Sequence, residues 1–376
     1  MECFKDVNVE EIASNIKTMP QNGSAETIAI PDIDDKEYCI SAHELFDTIS
    51  IVPLETTEQS IIGVVTKIKI LNDTIFVLDN MKAKSLTMFT MKGKFIRKIG
   101  NIGNGPGEYV EPTDFFVDKN ITVYDQYQQK IITYTKGGTL ISDRKLPFLC
   151  FQFMKMSDNL YVFRDVDTRN VHIPQLSGYN LWTTDSAFHI IYKGLFREKG
   201  QWEPLFSPNS LSFSNGKLYV NDMFTDTIFR ITENGLLPDY VLNFNGHRPE
   251  FVLKHKGEIK KARKTADYYC LHDCLVSDNY VFCNLTIKHK CCAIYYSKKT
   301  KKTVCVNNLS FDDEVSVYPP FFASFVYNDT FVGEKYANDL IGNKNFSRLK
   351  KYIGGDFSNI APEDNPILFF YKMKKW

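Results

Sequence analysis

Asn72-Asp73-Thr74-Ile75-Phe76-Val77-Leu78-Asp79 joins a turn signal to an apolar run that ends in a carboxylate. Asn and Asp favour tight turns because their side chains bond nearby backbone groups and tolerate left-handed geometry. Branched and aromatic side chains suit a pleated surface, and the run has the length of a strand rather than a helix. The unit recurs five more times. Its strands are Ile121–Asp125, Leu160–Arg164, Leu218–Asp222, Tyr280–Asn284 and Thr330–Glu334. Each follows its own turn signal: Lys119-Asn120, Asp158-Asn159, Asn215-Gly216, Asp278-Asn279 and Asn328-Asp329. The copies lie about 40 to 60 residues apart, which is the period of propeller blades with loop insertions. The reading is an all-β, six-bladed β-propeller.

Around the first copy the other three strands of a blade are visible, at Val64–Leu71, Ser85–Phe89 and Lys94–Ile99. Met91-Lys92-Gly93-Lys94 supplies a glycine-containing hairpin turn, and Gly137-Gly138 plays that part in blade two. After the sixth copy one strand remains, Ile367–Met373, while Thr48–Leu54 precedes blade one without a partner there. An open ring leaves unpaired strand edges. Thr48–Leu54 is therefore expected to close the last blade. Residues 1–25 read as a leader or linker, and 26–376 as the propeller. Helical inserts are expected at Gly257–Tyr269 and Tyr336–Tyr352, and a short helix at Ser41–Phe46 capped by Ser41.

Lysine plus arginine and aspartate plus glutamate both number 45, so the formal net charge is zero. A nucleic-acid binder needs a basic excess to displace counterions, and nucleic acid is not an expected partner. The basic run His255–Lys264 reads as a solvated helical face. Nine cysteines show no disulfide framework, which suits a reducing compartment. No apolar run is long enough to span a membrane, and no signal peptide is visible.

Gly103-Asn104-Gly105-Pro106-Gly107-Glu108-Tyr109 follows the blade-one strand and resembles the G-x-G-P-G-E-Y signature of a family of NHL-like six-bladed propellers. That family is found largely as predicted lipoproteins of Gram-negative anaerobes. Val52–Thr57, Asp226–Ile231 and Asn365–Leu368 agree with it. The resemblance implies the fold, export to the cell envelope and a lipid anchor as the only membrane association. Cys3 would be the lipidation site if a leader preceded it; a cytoplasmic location is the alternative.

In an NHL-like blade the second strands end on the face where one blade passes to the next. Asp79, Asp125, Arg164, Asp222, Asn284 and Glu334 would then gather at one mouth of the channel. Concave sites with a few convergent polar groups are the default place for a ligand. The competing reading has these residues capping strand ends. In the turn, Gly103, Gly105 and Gly107 are expected to supply positive φ angles and Pro106 a fixed φ, with Glu108 bonding backbone amides and Tyr109 completing a structural motif. No lysine and no helix follow this loop as they do in a phosphate-binding loop.

Cys270, His272 and Cys274 alternate as residues on one strand face do, with Cys283, His289, Cys291 and Cys292 downstream. Zinc sites use tighter cysteine spacings, and cysteine is also a common core residue. No metal site is expected there. The functional reading is a monomeric, non-catalytic binding or scaffold propeller that recognises a peptide, glycan or protein at the channel mouth without a cofactor. Trp182, Trp202, Tyr127 and Tyr179 offer flat stacking surfaces. The alternative is a metal-dependent hydrolase or lyase that holds a divalent cation on the mouth carboxylates. A cytosolic interaction scaffold is the third reading.

Overall fold

The computed structural model describes residues 4, 7–31, 39–165, 169–197, 209–222, 225–244, 269–287, 290–311, 315–317, 323, 325–341 and 360–376. Six mostly antiparallel sheets form the blades, and the four blade strands follow chain order from the innermost outward in all but the last. Blade one is Lys67–Leu71, Thr74–Asp79, Ser85–Thr90 and Phe95–Ile99. Blades two to five repeat it from Pro112, Gln152, Leu211 and Tyr269. The first hairpin has Asn72 at φ 47° and Asp73 at φ 57°, and Asn328 and Asp329 repeat these angles in blade six. Two successive left-handed residues match the twist of antiparallel strands, which is why Asn-Asp marks these turns. In blade two the turn takes another form, with the Asn120 amide donating to Asp118 Oδ1 at 2.8 Å.

Six apolar clusters lie between consecutive blades. Phe76, Leu78 and Leu86 of blade one meet Phe115, Val123 and Ile132 of blade two. The ring closes with Val332, Leu368 and Phe370 of blade six against Ile68, Ile75 and Phe89 of blade one. Blade six is Phe325–Tyr327, Thr330–Lys335, Ile367–Met373 and, from the other end of the chain, Phe46–Pro53. The last two pair antiparallel from Ile367 opposite Pro53 to Met373 opposite Phe46. This is the closure expected from Thr48–Leu54.

The segment read as a leader or linker runs along the outside of the ring. Val9–Ala13 is a helix whose N-cap Asn8 accepts from the Glu11 amide, and Ala13 is buried in the cluster between blades two and three. Lys17–Thr18 pairs parallel to Tyr192–Lys193 on blade three, and Glu26–Ala29 parallel to Tyr240–Asn243 on blade four. Ile28 and Ile30 then enter the core between blades four and five. Cys39–Ser41 pairs parallel to Asn308–Ser310 before the chain reaches blade six. The outer edges of these blades are thereby covered.

Ala42–Leu45 is helical as expected, but the Ser41 side chain makes no cap hydrogen bond. Ala337–Ile341 begins the insert expected from Tyr336, and the remainder of that insert lies outside the described residues. So do His255–Lys264 and all of the Gly257–Tyr269 insert except Tyr269, which opens the first strand of blade five.

Candidate functional site

Strand register puts the start of each innermost strand beside the end of the second. Lys67 stands opposite Leu78, Pro112 opposite Asp125, Gln152 opposite Arg164, and Asp273 opposite Asn284. The terminal residues therefore share one face of the ring.

Asp79 is fully buried and bonded to its own loops. Its Oδ2 accepts from the amides of Gly63 at 2.7 Å, Val64 at 2.9 Å and Ala83 at 3.0 Å; Oδ1 accepts from Lys82 at 2.8 Å and Met81 at 3.1 Å. Burial alone would raise its pKa, but the amides of Lys82, Val64, Ala83 and Gly63 outweigh it and hold the carboxyl below its usual range. Asp125 repeats the device in blade two. It accepts from the Val110 amide at 2.6 Å, the Glu111 amide at 3.3 Å, the Gln128 amide at 3.1 Å and Gln128 Nε2 at 2.9 Å. Each aspartate ties the strand entering its blade to the turn leaving the second strand.

Arg164 is buried and donates to the carbonyls of Asn221 and Ser210, with Asp222 at 3.5 Å. Asp222 also pairs with Arg197. Glu334 is half-buried near Tyr336, whose hydroxyl accepts from the Val65 amide. Asn284 differs from the rest. Its amide is wholly buried, and neither Oδ1 nor Nδ2 has a hydrogen-bond partner among the described residues. A buried amide without partners costs free energy, and Asn284 carries that cost.

The concavity on this face encloses about 730 Å³ and is lined by Lys67, Asp114 and Gln152 near the starts of the innermost strands and by Met81, Lys84 and Glu111 of the adjoining loops. Lys67 pairs with Asp114 of blade two, and both are buried. Asp114 Oδ2 accepts from the Phe153 amide of blade three at 2.9 Å. Gln152 Oε1 accepts from Ser210 Oγ at 2.5 Å and the Leu211 amide at 3.2 Å, both of blade four. These links run blade to blade beneath the mouth. Sequence reasoning missed them because it followed the second strands. The available signal was a polar side chain directly before an apolar one near the start of an innermost strand, as in Lys67-Ile68, Asp114-Phe115 and Gln152-Phe153.

The glycine-rich loop is a latch between blades one and two. Glu108 Oε2 accepts from the Gly105 amide at 2.8 Å. Gln128 Nε2 donates to the carbonyl of Gly103 at 3.0 Å and that of Glu108 at 3.3 Å. The Tyr109 hydroxyl donates to the Ile99 carbonyl at 2.7 Å, and burial pushes that phenol up to about 12. Gly107 has positive φ, at 72°; Gly103 and Gly105 do not, contrary to expectation. A Cβ on Gly103 would lie 2.0 Å from Glu108 Oε2, so glycine there makes room for the carboxylate.

In blade five, Cys274 and Cys283 are cross-strand neighbours with Sγ atoms 3.1 Å apart, buried between blades four and five. Burial, reinforced by Cys283, raises the Cys274 thiol well above its ordinary range. The side chains of Cys270, His272 and His289 lie outside the described residues. Among the described residues no group of three His, Cys, Asp or Glu side chains is placed to hold a metal. Of the aromatics singled out, Trp182 is core, Tyr179 is half-buried, Tyr127 is exposed and Trp202 is outside the described residues.

The chain is similar to a "Putative exported protein" of Bacteroides fragilis NCTC 9343, at 19% identity and a TM-score of 0.70 over 93% of this chain and 100% of that one. It is also similar to a member of the DUF4221 family from Bacteroides vulgatus ATCC 8482, at 9% identity and a TM-score of 0.51 over 88% of this chain and 97% of that one. Both likenesses are likenesses of fold. No curated protein matches the chain. Residues 25–372, which take in all six blades and the closing strand, match the family described as Domain of unknown function (DUF4934), and the chain belongs to that family.

Proposed function

We propose that the protein is a non-catalytic binding propeller of the cell envelope that holds a peptide, glycan or protein partner over the mouth formed by Lys67, Asp114 and Gln152. One observation carries this reading. Asp79 and Asp125, the carboxylates that a metal-dependent hydrolase or lyase would need, are already saturated by amides of their own loops. Ligation of a cation would require breaking those bonds. What the mouth offers instead is a cavity of about 730 Å³, rimmed by Lys84 and Glu111, within the size range of small-ligand sites.

Export is supported by the likeness of Gly103–Tyr109 to the NHL-like signature and by the exported neighbour from Bacteroides fragilis. Fractionation of the native cells should place the protein in the envelope. Glycan and peptide arrays probed with the purified propeller should give hits that Lys84→Glu or Glu111→Lys abolishes. A stoichiometric divalent metal that survives dialysis and is lost in Asp79→Asn would overturn the binding reading in favour of the hydrolytic one.

A further inference from the structure

The opposite end of the channel has a different chemistry. A cavity of about 880 Å³ opens there, walled by innermost strands of five blades: Lys69 and Leu71, Phe116, Met154, Phe213 and Phe325. Of the residues singled out by the sequence, only the turn residues Asn72, Lys119 and Asp158 line it. Its ionisable groups are four lysines (69, 119, 136 and 155) against two aspartates, Asp118 and Asp158. Both aspartates are engaged at the rim. Lys155 Nζ lies 2.6 Å from Asp158 and 3.7 Å from Asp118, and Lys119 lies 3.8 Å from Asp158. Lys69 and Lys136 have no carboxylate partner among the described residues.

Lys69 is half-buried on the innermost strand of blade one. Its ammonium sits 4.8 Å from the centre of the Phe325 ring, and the nearest carboxylate on its inward side, Asp114, is already paired with Lys67. Burial, with the like charge of Lys67 and against the pull of Asp114, brings its pKa down to about 7. An ammonium in apolar surroundings without a counterion is costly, and an aromatic face offsets only part of that. An anion delivered into the cavity would complete the site.

We propose that this opposite mouth binds an amphipathic organic carboxylate, its head group on Lys69 and its apolar chain along Phe116, Met154 and Phe325. Of the two cavity lysines on innermost strands, Lys155 is paired and Lys69 is left to match one negative charge. A phosphate group, with three strong acceptor oxygens and up to two charges, would need more donors than the inner wall carries. Methionines at 154 and 156 adapt to an unbranched chain. The rim lysines attract the anion and leave its tail to the apolar wall. This site is separate from the mouth at Lys67 and Asp114, so each can fail without the other.

Decanoate is a suitable probe, titrated calorimetrically at pH 8 in buffers of different ionisation enthalpy. Lys69 is then mostly neutral in the free protein and must gain a proton to meet the carboxylate. Binding should therefore take up close to one proton, and decanol should bind at least about tenfold more weakly, as expected for loss of a charge-assisted bond. Lys69→Met should weaken decanoate by a similar factor and abolish the proton uptake, while Lys84→Met at the other mouth should leave both unchanged. Equal affinity for decanoate and decanol, binding without proton uptake, or no binding by the wild-type protein would each overturn the proposal. The wild-type comparisons decide it even if Lys69→Met does not fold.

Discussion

Asn365 Oδ1 accepts from the Ile62 amide at 2.8 Å across 303 residues of chain. The same side chain donates through Nδ2 to the carbonyls of Glu55 and Ser60, both at 2.9 Å. One buried amide thus holds the turn after the closing strand against the entry to Ile367–Met373, the strand it pairs with. Asn365→Ala would leave one amide and two carbonyls unsatisfied, at about 1–3 kcal/mol each before relaxation. The variant should unfold at a markedly lower denaturant concentration. Asn365→Asp should not rescue it, because a carboxylate oxygen would face two carbonyls. Urea titration of the three proteins checks both statements, and a wild-type midpoint for the alanine variant would show that closure rests on the strand pairing alone.

Gly103 and Glu108 compete for the same space, which makes their effects on stability interdependent. Gly103→Ala forces the Glu108 carboxylate off the Gly105 amide and should cost about 1–2 kcal/mol. In a Glu108→Ala background the carboxylate is gone, and the glycine substitution should cost little. A double-mutant cycle measures the coupling directly. Additive effects would mean that the glycine serves something other than room for Glu108.

Asp79 gives the stability a defined response to acid. Its folded pKa lies below the ordinary value, so the stabilisation is full above the unfolded pKa, near 4, and is lost as pH falls through the folded one. Asp79→Asn exchanges one acceptor oxygen for a donor that faces loop amides. It should cost about 2–4 kcal/mol at pH 7 and less as pH falls below the unfolded pKa, near 4, where the carboxylate's contribution to the wild-type protein is being lost. Urea midpoints of both proteins from pH 3 to 8 should converge toward the acid end. A constant difference across that range would remove the amide cage from the account.

The blade count was legible because each second strand couples an apolar run to a turn of Asn, Asp or Gly, and both signals are local. Closure followed from a physical requirement, since the unpaired strand before blade one had only one open edge to fill. The outer belt was not legible. Lys17–Thr18 and Glu26–Ala29 are two and four residues long, pair in parallel with strands far along the chain, and have no hairpin to announce them. The mouth was half legible. The terminal aspartates sit on the expected face, yet five or four hydrogen bonds to their own loops are visible only in three dimensions, and the charged residues facing the cavity belong to the innermost strands and to the loops beside them.

The thiols should divide sharply by burial. Cys150, Cys274, Cys283 and Cys292 are buried, and the thiol groups of Cys150 and Cys274 are raised well above their ordinary range by burial first of all. Cys291 is exposed. Only the thiolate reacts, so iodoacetamide should label Cys291 in the native protein and reach the buried four only after unfolding. Peptide mapping by mass spectrometry reads this out. Rapid native labelling of Cys274 or Cys283 would mean that the core between blades four and five opens easily.

The outer belt yields a prediction about the chain's first residues. Met19 packs between blades three and four, and Ile28 and Ile30 between blades four and five. Burying side chains of this size contributes about 1.5–3 kcal/mol apiece. Deleting residues 1–31 would remove all three and bare the outer edge of Gly235–Asn243, which pairs with Glu26–Ala29. An uncovered strand edge beside exposed isoleucine-sized hollows invites pairing with another chain. The deleted protein should melt well below the full chain and scatter light increasingly with concentration, whereas deletion of residues 1–7 should do neither, since the helix and both belt strands remain. Coincident melting of all three would mean that the belt lies on the ring without stabilising it, and the propeller would then begin at the closing strand.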